Sequence, residues 1–113
     1  MTVQITKNAD YIGGGIQNMI DAMIEDYNSF SASEKMKDDF ANGFEIVKGN
    51  KYIKIINRNS VVAFIVNNAT DKLFQLGDIL KPAGWNAPAR NKPRGNVLEG
   101  NYPMQWTGPL YLS

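Results

Sequence analysis

The chain has 113 residues, 43% hydrophobic and 20% charged, with a formal net charge of +1; this fits one domain, 1–113, with a modest core that a partner subunit would help to stabilise. It has no cysteine and no histidine, which excludes disulfide frameworks, thiolate nucleophiles, His–Cys zinc sites and imidazole acid–base chemistry. The charge is unevenly spread: residues 1–48 carry four lysines against eight carboxylates, and residues 49–113 carry eight cations against three carboxylates, which points to an anion-binding surface in the second half or to two halves that attract each other.

The start, "MTVQITKNADYIGGG", lacks a basic flank followed by an apolar run, and no apolar stretch approaches the roughly 20 residues that span a bilayer. The expectation is an intracellular, soluble protein without a membrane partner. After Gly13–Gly15, apolar residues at Ile16, Met19, Ile20, Met23, Ile24 and Tyr27 follow the three-and-four spacing of one helical face, with Asp21, Glu25 and Asp26 directed elsewhere. Ser31 precedes Glu34 by three residues, a capping-box spacing that predicts a second helix with Met36 and Phe40 inward and Gly43 as its stop. The helical part thus spans 11–43.

From Phe44 the pattern becomes that of strands. "FEIVK", "KYIKII" and "VVAFIVN" are rich in β-branched and aromatic residues, with turn residues at Gly49-Asn50 and Asn57-Arg58-Asn59-Ser60, which predicts an antiparallel meander. "VVAFIV" is apolar at every position and so needs cover on both faces, here expected from the helix pair and from a second subunit. "KLFQLGDILK" reads as a further strand carrying a turn at Gly77-Asp78, and "NVL" with "MQWTGPLYL" as a closing hairpin. The fold class is α+β: two N-terminal helices packed on an antiparallel sheet (44–113) with a long ordered basic loop.

That loop, "KPAGWNAPARNKPRGN" (81–96), holds Lys81, Arg90, Lys92 and Arg94, one tryptophan, three prolines and no acid. Prolines at 82, 88 and 93 exclude a regular element, and a loop of this length, when ordered, is usually functional. Arginine forks pair with phosphates, an indole stacks on a base, and Asn86, Asn91 and Asn96 can donate and accept, so the chemistry fits a nucleotide. The competing account is structural: Trp85 caps the core, Arg90 and Arg94 pair with Asp78, Glu99 or the acidic helices, and the prolines tie the loop down. "GGG" could bring backbone amides to a phosphate at a helix N-terminus or serve as a flexible lead-in; it is neither a GxGxxG nor a P-loop. The acids at Asp21, Glu25, Asp26, Asp38 and Asp39 fit a solvated helix surface better than a carboxylate metal site. No nucleophile–base pair, no catalytic residue, no metal ligand set and no cofactor can be named, so a binding protein is expected rather than an enzyme.

The block "GDILKPAGWNAPARNKPRGNVLEGNYPMQWTGP", Gly77 to Pro109, resembles a pattern of small proteins encoded in tailed phages and prophages: a GDIL strand, a tryptophan, an AP-R/K-N-x-x-RGN loop and a closing WTG. Among these the chain is similar to the first family of phage anti-Thoeris proteins, sponges that sequester cyclic ADP-ribose-type signals made by bacterial TIR enzymes. That resemblance implies a homodimer with ligand pockets at the subunit interface, assembly to a hexamer and cyclic oligonucleotides as further ligands in some members, action in the cytoplasm of the infected host, and no catalysis. Carried onto this sequence, it places Arg90 and Arg94 on pyrophosphate, Trp85 or Trp106 against adenine and Asn91 and Asn96 on polar edges, with Arg58 as a further arginine. Two rivals remain: a nucleic-acid-binding phage regulator, disfavoured by the few basic residues, and a protein-binding inhibitor of a host enzyme, for which Trp85 and the arginines would be hot spots.

Overall fold

A computed structural model describes residues 3–31 and 33–110. The architecture is α+β, with both helices preceding the main sheet. In chain order the elements are β1 (Val3–Ile5), α1 (Ile12–Phe30), α2 (Glu34–Asn42), β2 (Phe44–Lys48), β3 (Tyr52–Asn57), β4 (Ser60–Val66), β5 (Ile79–Leu80) and β6 (Tyr102–Met104). The strands form an antiparallel sheet in the order β2-β3-β4-β5 and a separate antiparallel pair, β1-β6. No helix is long and apolar enough to cross a membrane among the described residues.

The apolar spacing of α1 places Ile16, Met19, Ile20, Met23 and Tyr27 in the core, as expected. The three glycines are inside its first turn rather than ahead of it, and they are not a flexible lead-in. Gly15 lies so close to the loop at Val97 that an added Cβ would stand 2.2 Å from the Val97 carbonyl oxygen, so the helix can reach its packing partner only with glycine there. The expected capping box is also displaced. Ser33, not Ser31, caps α2 by accepting from Met36 N–H at 3.2 Å, while Ser31 closes α1 with its N–H on Tyr27 C=O. Phe40 turns inward but Met36 is exposed.

The meander matches the predicted strands to within a residue. Arg58 and Asn59, with φ of 49° and 71°, make the tight β3–β4 turn in the left-handed region that suits the twist of a two-residue hairpin. Ile53, Ile55, Ala63, Ile65 and Ile79 face α1 in the main core. On the opposite face Phe64, Val66 and Leu80 pack with Phe74, flanked by Tyr52 and Val61. At Phe64 and Val66, the second cover of "VVAFIV" comes from this chain's own Phe74 segment.

Two further expectations fail for a non-local reason. "KLFQLGDILK" yields only the two-residue β5, and "NVL" and "MQWTGPLYL" do not form a hairpin: Tyr102–Met104 pairs instead with Val3–Ile5 from the other end of the chain. Tyr111 and Leu112 of that stretch lie outside the described residues. The basic loop contains no helix or named strand, yet its backbone is held. Ala83 and Gly84 N–H donate to Ala87 C=O, Ala89 N–H to Lys81 C=O, and the return segment pairs with β5 through Arg94 N–H to Ile79 C=O and Ile79 N–H to Gly95 C=O. The result is a short arm with Trp85 near its tip.

Candidate functional site

A cleft of about 420 Å³ lies at the β3–β4 turn, between Phe40, Arg58, Ser60, Val62, Trp106 and Thr107. Its volume falls in the roughly 300–1,000 Å³ range of small-molecule sites. Two of the expected residues, Arg58 and Trp106, meet here although they are far apart in sequence.

Arg58 is positioned from three sides. Its backbone N–H donates to Gly43 C=O at 3.0 Å, its Nε donates to Asn57 Oδ1 at 2.8 Å, and its guanidinium lies 5.1 Å from the centre of the Phe40 ring and 5.5 Å from that of Tyr27. Those rings are themselves stacked at 4.3 Å. Gly43 makes the approach possible, since a Cβ there would stand 2.6 Å from Arg58 Cγ. Asn57 is buried and fixed by its Nδ2 on Phe40 C=O at 2.9 Å, so its carbonyl oxygen is aimed at Arg58. No carboxylate pairs with this guanidinium among the described residues, which leaves its terminal nitrogens for a ligand.

Trp106 is half-buried against Phe30, Tyr27 and Phe40, with ring centres 5.4, 5.2 and 6.1 Å away. Its backbone N–H donates to Asp26 Oδ2 at 2.8 Å. Asp26 is thus not part of a solvated helix surface; it is 1% exposed, and its Oδ1 has no partner. Helical spacing missed it because its cover comes from the far end of the chain.

The loop's own candidates do not converge on this cleft. Arg90 is neutralised: its guanidinium grips Asp71 at 3.0 and 3.2 Å, donates to the Tyr52 hydroxyl and lies over Phe74 at 4.9 Å. The hydrogen bond from Arg90, and then the Leu73 N–H, hold the Asp71 carboxyl down at about 2. Its partner is none of the acids that the sequence offered. Asn91 Oδ1 accepts from Lys92 N–H and Arg94 Nη1, and Arg94 Nη1 also donates to Lys92 C=O, so this pair braces its own turn; Arg94 Nε is buried without a partner. Asn96 is fully committed within the fold, donating to Leu76 C=O and Asp78 Oδ1 and accepting from Leu98 and Glu99 N–H. Lys81 donates to Pro109 C=O, and partial burial, with the nearby Arg94 charge, lowers its pKa. Trp85 is half-exposed on the arm, under Lys54.

Phe40, Asn57 and Thr107 are site residues that the sequence did not reveal; the Gly43 stop and the Asn57-Arg58-Asn59-Ser60 turn were visible, but not that they face each other. Ser60 and Thr107 offer hydroxyls, and among the described residues no carboxylate lines the cleft. The arrangement is equipped to hold a planar anionic molecule: a guanidinium on two aromatic rings, an indole, and hydroxyl donors.

A family model described as a family of unknown function (DUF7717) matches residues 4–112. No curated protein and no solved structure is significantly similar to the chain.

Proposed function

Since the chain belongs to this family of unknown function, we propose from its own surface that it binds a nucleotide without transforming it, in the cleft between Arg58 and Trp106. The observation that carries this reading is an arginine held over two aromatic rings, beside an indole, with no carboxylate partner among the described residues. Keeping a guanidinium unpaired yet oriented favours a phosphate, because the fork is pre-organised and little freedom is lost on binding. The indole beside it offers a face to a base.

With the resemblance of the Gly77–Pro109 block, the proposal becomes specific. The ligand is a cyclic nucleotide immune signal, a cyclic ADP-ribose isomer or a cyclic oligonucleotide, and the protein is a phage-encoded sponge acting as a homo-oligomer in the infected host's cytoplasm. Arg58, the further arginine, takes the phosphate role expected of Arg90 and Arg94, whose guanidinium groups make contacts inside the fold. The test is a mass spectrum of small molecules released on denaturing the protein after co-expression with a TIR cyclase. A retained adenine nucleotide that is lost in Arg58→Gly supports the proposal. Recovery of no nucleotide, together with no calorimetric binding of cyclic ADP-ribose isomers or cyclic oligonucleotides, overturns it.

A further inference from the structure

A second hollow, about 310 Å³, lies between Pro82, Gly84 and Trp85 of the arm and Ser60 and Val61 of β4. Ser60 and Val61 also line the Arg58–Trp106 cleft, so the two hollows adjoin at the first two residues of the strand. Each presents an indole: one combines Trp106 with Arg58, and the other has Trp85, whose ring is braced from outside the hollow by Lys54, with Nζ 4.7 Å from the indole centre and held by Asn86 Oδ1 at 2.9 Å. Among the described residues, neither is lined by an acidic side chain. Beside Trp85 there is room, since an added Cβ on Gly84 would meet nothing within 4 Å. Trp85 is also 52% exposed, an unusual state for an indole on an arm whose backbone is tied at Ala83, Gly84, Ala89 and Arg94.

We infer that the two hollows form one site for a dinucleotide: one base beside Trp106, the second on Trp85, and the linking phosphate near the Ser60 hydroxyl that both hollows share, on the side of Arg58. This rests on the nucleotide reading of the Arg58–Trp106 cleft and narrows its ligand class. An indole accepts any base through its π face, so selection here works on the number of bases and on their span. A mononucleotide fills one hollow and leaves the other in water.

Calorimetry on the full chain with three probes, AMP, linear diadenylate pApA and cyclic di-AMP, tests this on the wild type, Trp85→Ala and Trp85→Phe. At least one dinucleotide is expected to bind tenfold or more tightly than AMP; Trp85→Ala removes that advantage and leaves AMP unchanged, and Trp85→Phe keeps most of it. AMP binding as tightly as both dinucleotides, or Trp85→Ala weakening AMP and dinucleotide alike, overturns the two-base site while the nucleotide reading stands. If none of the three probes binds, the nucleotide reading falls for these ligands and the two-base site falls with it. Should Trp85→Ala fail to fold, the wild-type ratio of AMP to dinucleotide and the Trp85→Phe variant decide the matter.

Discussion

The β3–β4 turn contributes one arginine and the 81–96 arm contributes two, yet the single arginine is the available one. Arg58 rests on Phe40 and Tyr27 with no carboxylate paired to it among the described residues, whereas Arg90 spends its fork on Asp71 and Arg94 curls onto Asn91 and Lys92. Both regions look cationic in sequence. What separates them is the neighbourhood supplied by distant segments: Asp71 comes from the β4–β5 connection, and Gly43 and Phe40 from the end of α2. A run of basic residues therefore marks where charge is located, while unpaired charge marks where a ligand can be held.

The comparison can be broken at four points. Asn96→Ala should have the largest effect, since it strands two donors and two acceptors in a buried turn; a loss of about 3 kcal/mol in chemical denaturation is expected, with ligand affinity unchanged in the folded fraction. Retained stability would show that the arm's return segment is not structural. Next comes Arg58→Gly, which removes the guanidinium while suiting the left-handed backbone at φ 49°. Nucleotide affinity should fall by about 2 kcal/mol, roughly thirtyfold, with little change in Tm; full binding by the folded variant would end the role of this cleft.

A third, smaller effect separates Arg90 from Arg58 by pH. Because the Asp71 carboxyl is held at about 2 against an ordinary 3.8, the pair's contribution is complete above pH 3.8 and is lost as pH falls towards 2. Melting curves of wild type and Asp71→Asn should differ by a few degrees at neutral pH and converge near pH 2, with nucleotide binding at neutral pH unaffected. A difference that persists unchanged to pH 2 would contradict the pairing. Smallest of all is Arg94→Ala, whose Nη1 is spent on Asn91 and Lys92 of its own turn; affinity within about twofold of wild type is expected, and a loss comparable to that of Arg58→Gly would return the phosphate site to the arm.

Much of the fold was legible because it is local. The inward face of α1, the β2–β3–β4 meander and the Asn57–Ser60 turn all follow from spacing and turn residues within a few positions of each other. The arm's order was legible from its prolines, but its partners were not: Arg90 was open to several acids, and nothing near it in sequence selects Asp71. Asp26 was misread for the same reason, since a carboxylate next to Tyr27 on an amphipathic helix looks solvated until Trp106 is laid across it. Val3–Ile5 carries too few residues to show a period, so its pairing with β6 left no trace. Of the candidate site, Arg58 and Trp106 were identified as residues, but their meeting was not.

The pairing of Val3 with Met104 also constrains how the protein is made. During synthesis β1 emerges without its partner, α1 presents its apolar face before β3 and β4 exist to receive it, and Trp106 reaches Asp26 and Phe40 only after nearly every other described residue has left the ribosome. Contacts of such long sequence separation fold slowly, because loop closure must precede the interactions that reward it. The Arg58–Trp106 cleft is therefore among the last parts of the molecule to form, and a chain interrupted before Trp106 would contain Arg58 and its turn but not the cleft.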